Sequence, residues 1–268
     1  MLEYNKEWFL KNIPKILFLY WGKNKPLSFL RYMTVLSFSK LNPDWKIIIC
    51  YPDKICYDEP WRSFEQKNNK YCGIDYFQYL DYIPNVQFKK TRCNTNIPEV
   101  FKSDVIRSKL LSDNGGVWSD FDILFTKPIT YLHLNIEANR DIDSVICKYK
   151  YAFAGFLMCK SGSILYKNLY ETVSELKIMY YTSILDKGYL KVFNDVLENE
   201  IVANLDMSSV YPISWKETEE LLNNIPQEEH TIGIHWYAGS NIMSSHEGEE
   251  LCKCDSALCK EARRIYEI

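Results

Sequence analysis

Two continuous apolar runs, separated by an amphipathic segment, constrain the fold more than any other feature. The runs are "PKILFLYW" (Pro14–Trp21) and "WKIIICYPD" (Trp45–Asp53), each short enough for a strand buried on both faces. Between them, apolar residues recur at helical spacing from Leu27 to Leu41, and Asn42-Pro43 ends the pattern. A strand–helix–strand unit of this length predicts two parallel strands joined by a right-handed crossover, and hence an α/β protein.

The rest of the chain continues this alternation without a low-complexity linker. We therefore predict that all 268 residues form a single α/β domain, with a mostly parallel sheet flanked by helices. The further predicted elements are a strand at "VQFKK", a helix from Pro98 to Asn114 ended by Gly115-Gly116, one strand at "VWSDFDILF", a hairpin of "SVICKYK" and "AFAGFLMCK", helices over about 162–180 and 188–199, a strand and loop at "TIGIHWYAGS", and a C-terminal helix.

Charge and hydropathy exclude several classes of function. The net charge of -3 and the pI near 5.9 give no electrostatic case for binding nucleic acid or an anionic membrane. No apolar run approaches the roughly 18–20 residues that a membrane span needs. The N-terminal stretch is too charged for a secretory leader, so we expect a cytoplasmic protein without a membrane anchor.

The nine cysteines cannot all pair with one another, which favours a reducing compartment and mostly free thiols. Three of them lie close together near the C-terminus, at Cys252, Cys254 and Cys259, with His246 upstream. Their spacing is not a standard zinc pattern. A metal site, a disulfide and ordinary helix cysteines all remain open for this segment.

Asp120 and Asp122 flank Phe121 where an apolar run begins. Residues two apart in a strand point to the same face, so at a strand end both carboxylates can face one cation. Carboxylate oxygens suit hard ions such as Mg²⁺ or Mn²⁺, and Mg²⁺ typically takes one or two carboxylates together with substrate phosphates. The pair therefore indicates a metal presented to a phosphate, with a solvated turn as the alternative.

Three further polar residues belong to the same prediction. Asp104 and Arg107 share one face of the helix that leads into the aspartates, as an acceptor and a cation beside the site or as a surface ion pair. His235 ends an apolar strand, either as a third metal ligand or as a core histidine.

The segments "IPKILFLYWG", "NPDWKIIICYPD", "SDVIRSKLLSDNGGVWSDFDILFTKP" and "IHWYAGS" resemble the DXD-containing, sugar-binding glycosyltransferases of family 32 type. This group includes yeast-type initiating mannosyltransferases and bacterial capsular sugar transferases, with clostridial glucosylating toxins as distant relatives. The resemblance covers most of residues 13–130 and the region around His235. It implies a GT-A fold, with a nucleotide-sugar-binding half over 13–130 and an acceptor-side half over 131–268 whose C-terminal loop reaches the metal.

The resemblance also implies a role for each matched position, and it makes Asp104, Arg107 and Asp122 the catalytic set. Trp21 would stack on the nucleobase, and Asp104 and Arg107 would bind the donor sugar. Asp120 would contact ribose, sugar or a metal-bound water, Asp122 would bind the metal directly, and His235 would reach the metal or the diphosphate. Ser240 would lie on a mobile loop over the donor.

Three positions depart from the family pattern or admit another role. Trp118 stands where relatives often have Tyr, and Asn241 stands where they often carry a Trp that caps the donor. Trp236 and Tyr237 are candidates to replace that cap. A structural role in the core remains the alternative for Trp21.

The implied activity is metal-dependent transfer of a hexose from a UDP-hexose or GDP-mannose donor, with Mn²⁺ or Mg²⁺, to a hydroxyl of a glycan, lipid-linked or protein acceptor. Retention of anomeric configuration is expected. The alternative is a nucleotide-sugar or glycan-binding protein on the same fold. A glycoside hydrolase fits less well because it needs two separated carboxylates, and a D-x-D-x-T phosphatase fits less well because Leu124 replaces its Thr.

Overall fold

The computed structural model describes residues 11–55, 67–92, 97–132, 134–135, 142–148, 152–176, 202–248 and 253–267. Its strands are β1 (Ile16–Tyr20), β2 (Lys46–Pro52), β3 (Val86–Thr91), β4 (Gly116–Ser119), β5 (Ile123–Phe125), β6 (Leu134–Asn135), β7 (Ser144–Lys148), β8 (Ala152–Cys159), β9 (Val202–Leu205) and β10 (Gly233–His235). Its α-helices are α1 (Phe29–Leu41), α2 (Glu99–Asn114), α3 (Ile164–Glu175), α4 (Glu220–Asn223) and α5 (Ala257–Glu267), and short 3₁₀ helices include Tyr76–Tyr82.

The main sheet confirms the predicted α/β architecture. In the described part of the chain it has eight strands in the order β3-β2-β1-β4-β8-β7-β9-β6. Strands β1 to β4 are mutually parallel, β7 pairs parallel with β9, and β6 and β8 run in the opposite direction. The sheet is therefore mostly parallel, as the strand–helix–strand pattern predicts, and the predicted hairpin of β7 and β8 is present.

Helices cover both faces of the sheet, and alternate residues of β1 show how. Leu17 and Leu19 pack with residues of α1, whereas Phe18 and Tyr20 pack with residues of α2 and α3. A strand buried on both faces must be apolar throughout, and this explains the unbroken run that ends at Trp21.

Helix α1 ends where the sequence predicts. The backbone N–H and the side-chain amide of Asn42 both donate to the Phe38 carbonyl, at 2.9 and 3.1 Å. Helix α2 ends at Gly115, whose φ of 68° is strained for any residue with a side chain. A Cβ on Gly115 would also lie 2.5 Å from the Ser161 nitrogen, so glycine is required here.

The segment "VWSDFDILF" is two strands, and the prediction of one strand is wrong. Strand β4 stops at Ser119, and β5 pairs antiparallel with β10 in a second, two-stranded sheet. The chain changes partners across the two aspartates: the Asp120 N–H donates to the Gly155 carbonyl of β8 at 2.8 Å, and the Asp122 carbonyl accepts from Trp236 N at 2.9 Å. Asp120 and Asp122 therefore lie in a turn between two sheets.

Two other predicted boundaries differ. The helix predicted over about 162–180 covers Ile164–Glu175, and the C-terminal helix, predicted for the stretch "GEELCKCDSALCKEARRIYEI", covers Ala257–Glu267. The helix predicted over 188–199 lies outside the described residues.

The C-terminal cysteines include a disulfide between Cys254 and Cys259. Oxidised sulfurs cannot act as thiolate zinc ligands, so this pair is not a zinc site. Cys252 lies outside the described residues, and among those described Cys72, Cys147 and Cys159 are free thiols. No helix in the described ranges combines the length and apolarity that crossing a bilayer requires.

Candidate functional site

The turn Asp120–Asp122 lies beside the carboxyl ends of the parallel strands, which is where open α/β sheets bind ligands. Trp21 follows β1, and its ring packs edge-on against Phe121 with centroids 5.7 Å apart. The indole N–H donates to the Lys25 carbonyl at 3.2 Å. Trp21 is half-buried, so it contacts the core and also presents a ring surface at the site.

Arg107 holds the Asp120 side of the turn. Asp120 Oδ1 accepts from Trp118 Nε1 at 2.8 Å and lies 3.4 Å from Arg107 Nη1. Burial raises the pKa of Asp120 above its usual range; the Arg107 charge opposes the rise, and the Asp122 charge adds to it. Two N–H donors therefore fix one oxygen of Asp120, and no hydrogen bond within the described residues engages Oδ2.

Asp104 and Arg107 form a buried ion pair, so the alternative of a surface pair is wrong. Arg107 also donates to the Ala154 carbonyl of β8 at 2.5 Å and lies over the Trp118 ring at 5.3 Å. The planar guanidinium thus joins α2, β8 and the aspartate turn, and its widely spaced N–H groups suit this better than the compact ammonium of a lysine.

The Asp122 side is held by the second sheet. Asp122 Oδ1 lies 3.2 Å from His235 Nε2, and Oδ2 accepts from Ala238 N at 3.1 Å. Burial alone would raise the pKa of Asp122, but the charge and hydrogen bond of His235, together with Arg31, lower it to about 2. Pairing of β5 with β10 sets this contact, because it places His235 opposite Ile123.

Asp122 and His235 have side chains of the types that bind divalent cations. The 3.2 Å between Asp122 Oδ1 and His235 Nε2 is a hydrogen-bond distance, and two ligands at right angles on an ion, each at about 2.1 Å, would also be separated by about 3 Å. Within the ranges the structure covers, no three His, Cys, Asp or Glu side chains are grouped as metal ligands. The sharing of one metal by Asp120, Asp122 and His235 stays a prediction; Asp120 Oδ2 and His235 Nε2 lie 3.3 and 3.2 Å from the position that a Cβ on Gly155 would take.

Tyr211 is a residue of this site that sequence reasoning missed. It follows β9, is 3% exposed, and stacks on His235 with ring centroids 5.1 Å apart. A methyl group added to Gly155 would lie 3.1 Å from Tyr211 Oη, 3.2 Å from His235 Nε2 and 3.3 Å from Asp120 Oδ2. The "SSVYPISW" segment has no periodicity or motif that would have revealed this.

Arg31 and Glu247 are a second omission. Arg31 Nε lies 3.1 Å from Glu247 Oε2, and both side chains are almost fully buried. The guanidinium lies over Trp21 at 5.1 Å and over Trp236 at 5.5 Å. The pair ties the first helix to the C-terminal segment, and a separation of 216 residues leaves no local sequence signal.

The C-terminal loop differs from its prediction in one respect. Trp236 is fully buried, so it cannot cap a donor, and that suggestion was wrong. Tyr237 is half-buried, and its hydroxyl donates to the Ile213 carbonyl at 2.9 Å. Ser240 Oγ accepts from Met243 N at 3.0 Å, at the start of the short 3₁₀ helix Met243–Ser245.

Comparisons with known proteins bear on the fold of this chain and on its family. Residues 56–182, which include the aspartate turn, match the family described as "Capsular polysaccharide synthesis protein". The solved structure of PaToxG glycosyltransferase is similar, with a TM-score of 0.50 and 15% identity over 75% of each chain. No match among curated proteins reaches significance.

Two other solved structures are similar at lower scores. The apo-form glycosyltransferase GlyE of Streptococcus pneumoniae TIGR4 has a TM-score of 0.47 at 11% identity, over 83% of this chain and 54% of GlyE. The galactosyltransferase LgtC, in complex with donor and acceptor sugar analogs, has a TM-score of 0.40 at 13% identity over 94% of each chain. The likeness to PaToxG shows a glycosyltransferase fold of the predicted type, and the family match is consistent with the predicted enzyme class.

Proposed function

We propose that this protein is a metal-dependent glycosyltransferase that moves a hexose from a UDP- or GDP-linked donor to an acceptor hydroxyl. The observation that carries the proposal is the 3.2 Å contact of Asp122 with His235 beside the carboxyl ends of the parallel strands. The resemblance to DXD-containing transferases of family 32 type supports it, and so does the match to a capsular polysaccharide family.

The donor would lie across the turn, with its parts on different residues. Trp21 offers a ring for the nucleobase, Asp122 and His235 offer ligands on the diphosphate side, and Asp104, Arg107 and Asp120 lie on the sugar side. A bound Mn²⁺ or Mg²⁺ would supply charge neutralisation for the departing diphosphate. Ser240 lies in the loop that follows β10, and we propose that it contacts the donor when this loop closes over it.

In the proposed step the bond between the anomeric carbon and the diphosphate oxygen breaks, while the acceptor oxygen bonds to that carbon. The acceptor proton passes to the departing diphosphate, so no protein base is required. Arg107 would add electrostatic stabilisation on this side of the turn. Attack from the face that the diphosphate leaves retains the anomeric configuration. The acceptor would be a glycan, lipid-linked or protein hydroxyl.

A donor panel tests the proposal. The protein would be incubated with UDP- and GDP-hexoses and Mn²⁺, without acceptor, and released nucleotide measured. We expect slow, metal-dependent hydrolysis of at least one donor, abolished by a chelator. Turnover that persists with the chelator would contradict the metal role. Nucleotide binding without release from any donor would favour the alternative of a binding protein.

A further inference from the structure

The hydroxyl of Tyr211 makes no hydrogen bond within the part of the chain that the structure describes. Its oxygen, Oη, is buried. Leaving a buried hydroxyl unsatisfied is costly, so such a group in a native structure calls for a partner such as a water or a ligand. An ordinary phenol is protonated at neutral pH, so this hydroxyl is able to donate.

The position of Tyr211 is fixed from several sides. Its ring packs on Phe153 with centroids 4.7 Å apart and on His235 at 5.1 Å. Its backbone N–H donates to the Met207 carbonyl at 2.6 Å, and the adjacent Val210 carbonyl accepts from His235 N at 2.8 Å. A hydroxyl held this firmly suits recognition, because little conformational entropy is lost on binding.

Three polar atoms converge beside Gly155. A Cβ on this residue would lie 3.1 Å from Tyr211 Oη, 3.2 Å from His235 Nε2 and 3.3 Å from Asp120 Oδ2, the carboxylate oxygen without a hydrogen bond among the described residues. Tyr211 Oη and Asp120 Oδ2 therefore lie close to one point, and one small polar group between them would reach both. A donor and an acceptor at one point fit a neutral hydroxyl, which both accepts and donates.

We propose that Tyr211 Oη and Asp120 Oδ2 bind one hydroxyl of the transferred hexose, beside Gly155. This inference rests on the proposed function and adds a sugar-recognising residue to it. The donor sugar suits this position better than the acceptor does, since Gly155 is buried and its carbonyl accepts from Asp120 N at 2.8 Å. The hexose is bonded to the diphosphate, so it must lie next to it. Asp122, the proposed ligand on the diphosphate side, is only two residues from Asp120.

Calorimetric titration of nucleotide and nucleotide-sugar with the same variants tests the inference. Tyr211→Phe removes one hydroxyl without changing the ring. With Mn²⁺ present, we expect it to weaken binding of the preferred UDP- or GDP-hexose about tenfold and to leave binding of UDP or GDP unchanged.

Tyr166→Phe is the matched control, because Tyr166 is a fully buried tyrosine of α3 in the cluster on the far face of the sheet. We expect neither affinity to change in this variant. Monodeoxy analogues of the hexose locate the partner: one analogue should bind the wild type about tenfold more weakly, and Tyr211→Phe should not weaken its binding further.

Three outcomes would overturn the inference. Equal losses for nucleotide and nucleotide-sugar in Tyr211→Phe would indicate a structural role or a bound water only. A loss of Mn²⁺ affinity would place Tyr211 at the metal instead. If the wild type bound nucleotides but none of the nucleotide-sugars, the proposed function would fail and this inference with it, whereas a normal wild type with an unaffected Tyr211→Phe would refute the inference alone.

Discussion

The two sides of the aspartate turn are built from different parts of the chain. On the Asp120 side, a buried Arg107–Asp104 pair spans three residues of one helix and lies over Trp118. On the Asp122 side, a buried Arg31–Glu247 pair spans 216 residues and lies between Trp21 and Trp236.

The two ion pairs create similar surroundings for the two aspartates from different parts of the chain. Each sets a buried guanidinium and indole rings near a carboxylate. The Asp120 side is organised by one helix–strand segment, whereas the Asp122 side requires the N-terminal and C-terminal regions to meet. We therefore expect changes on the Asp122 side to affect the metal and the whole fold, and changes on the Asp120 side to affect sugar binding.

The largest effect is expected for Asp122→Asn. The substitution keeps the shape but removes the charge that would face the cation, and we expect turnover to fall at least about a thousandfold. Nucleotide release with Mn²⁺ measures it. Asp113→Asn, at an exposed residue of α2, is the control that should leave release unchanged. Full activity of Asp122→Asn would refute the metal assignment.

The next effect tests the long-range pair. Arg31→Met leaves Glu247 buried without its ion-pair partner, and we expect the free energy of unfolding to fall by about 3–5 kcal/mol. Urea denaturation measures it. The double variant Arg31→Met/Glu247→Leu should recover most of the loss, because no uncompensated charge remains. A single variant as stable as the wild type would mean that the C-terminal segment does not depend on this pair.

Substitution of Trp21 tests whether its ring stacks on the nucleobase. We expect Trp21→Ala to weaken nucleotide binding by roughly 1–3 kcal/mol if its ring stacks on the base. Fluorescence titration with UDP or GDP measures this, and Trp215→Ala, at an exposed tryptophan, is the control. Unchanged nucleotide affinity together with reduced stability would support a purely structural role.

Opposite pKa shifts of the two aspartates predict opposite effects on stability. The pKa of Asp122 falls to about 2, from about 3.9 when unfolded, so its charge stabilises the fold above about pH 4 by on the order of 2 kcal/mol, and this is lost as the pH falls toward 2. The pKa of Asp120 is raised, so its charge opposes folding at neutral pH.

Urea denaturation of the matched Asn variants measures these opposite effects. At pH 7 we expect Asp122→Asn to be less stable than the wild type and Asp120→Asn to be more stable, with both differences shrinking toward pH 3. Destabilisation of the same size in both variants at pH 7 would contradict the comparison.

The smallest effect concerns Ser240. Because its hydroxyl accepts a hydrogen bond from Met243 N, Ser240→Ala should cost about 0.5–1 kcal/mol of stability. Thermal melts together with calorimetry of donor binding separate a structural role from a role in donor binding. A tenfold loss of donor affinity at an unchanged Tm would support the loop role that the family resemblance implies and contradict a mainly structural role.

Local sequence patterns determined the parallel core and half of the site. The alternating environments of β1 make it apolar throughout, and helical spacing places Asp104 and Arg107 on one face, so short-range rules were sufficient for both. Gly115 follows in the same way, because its conformation is a local property of the helix end.

Only the tertiary structure decided the rest. Whether the chain continues as one strand through Asp120 and Asp122 depends on competition between β8 and β10 for their backbone groups, and those strands lie more than 30 and 110 residues further along. The places of Tyr211, Gly155 and Glu247 depend in the same way on packing between distant segments. Hydrophobic periodicity records which face a residue buries, but not which distant residue it meets there.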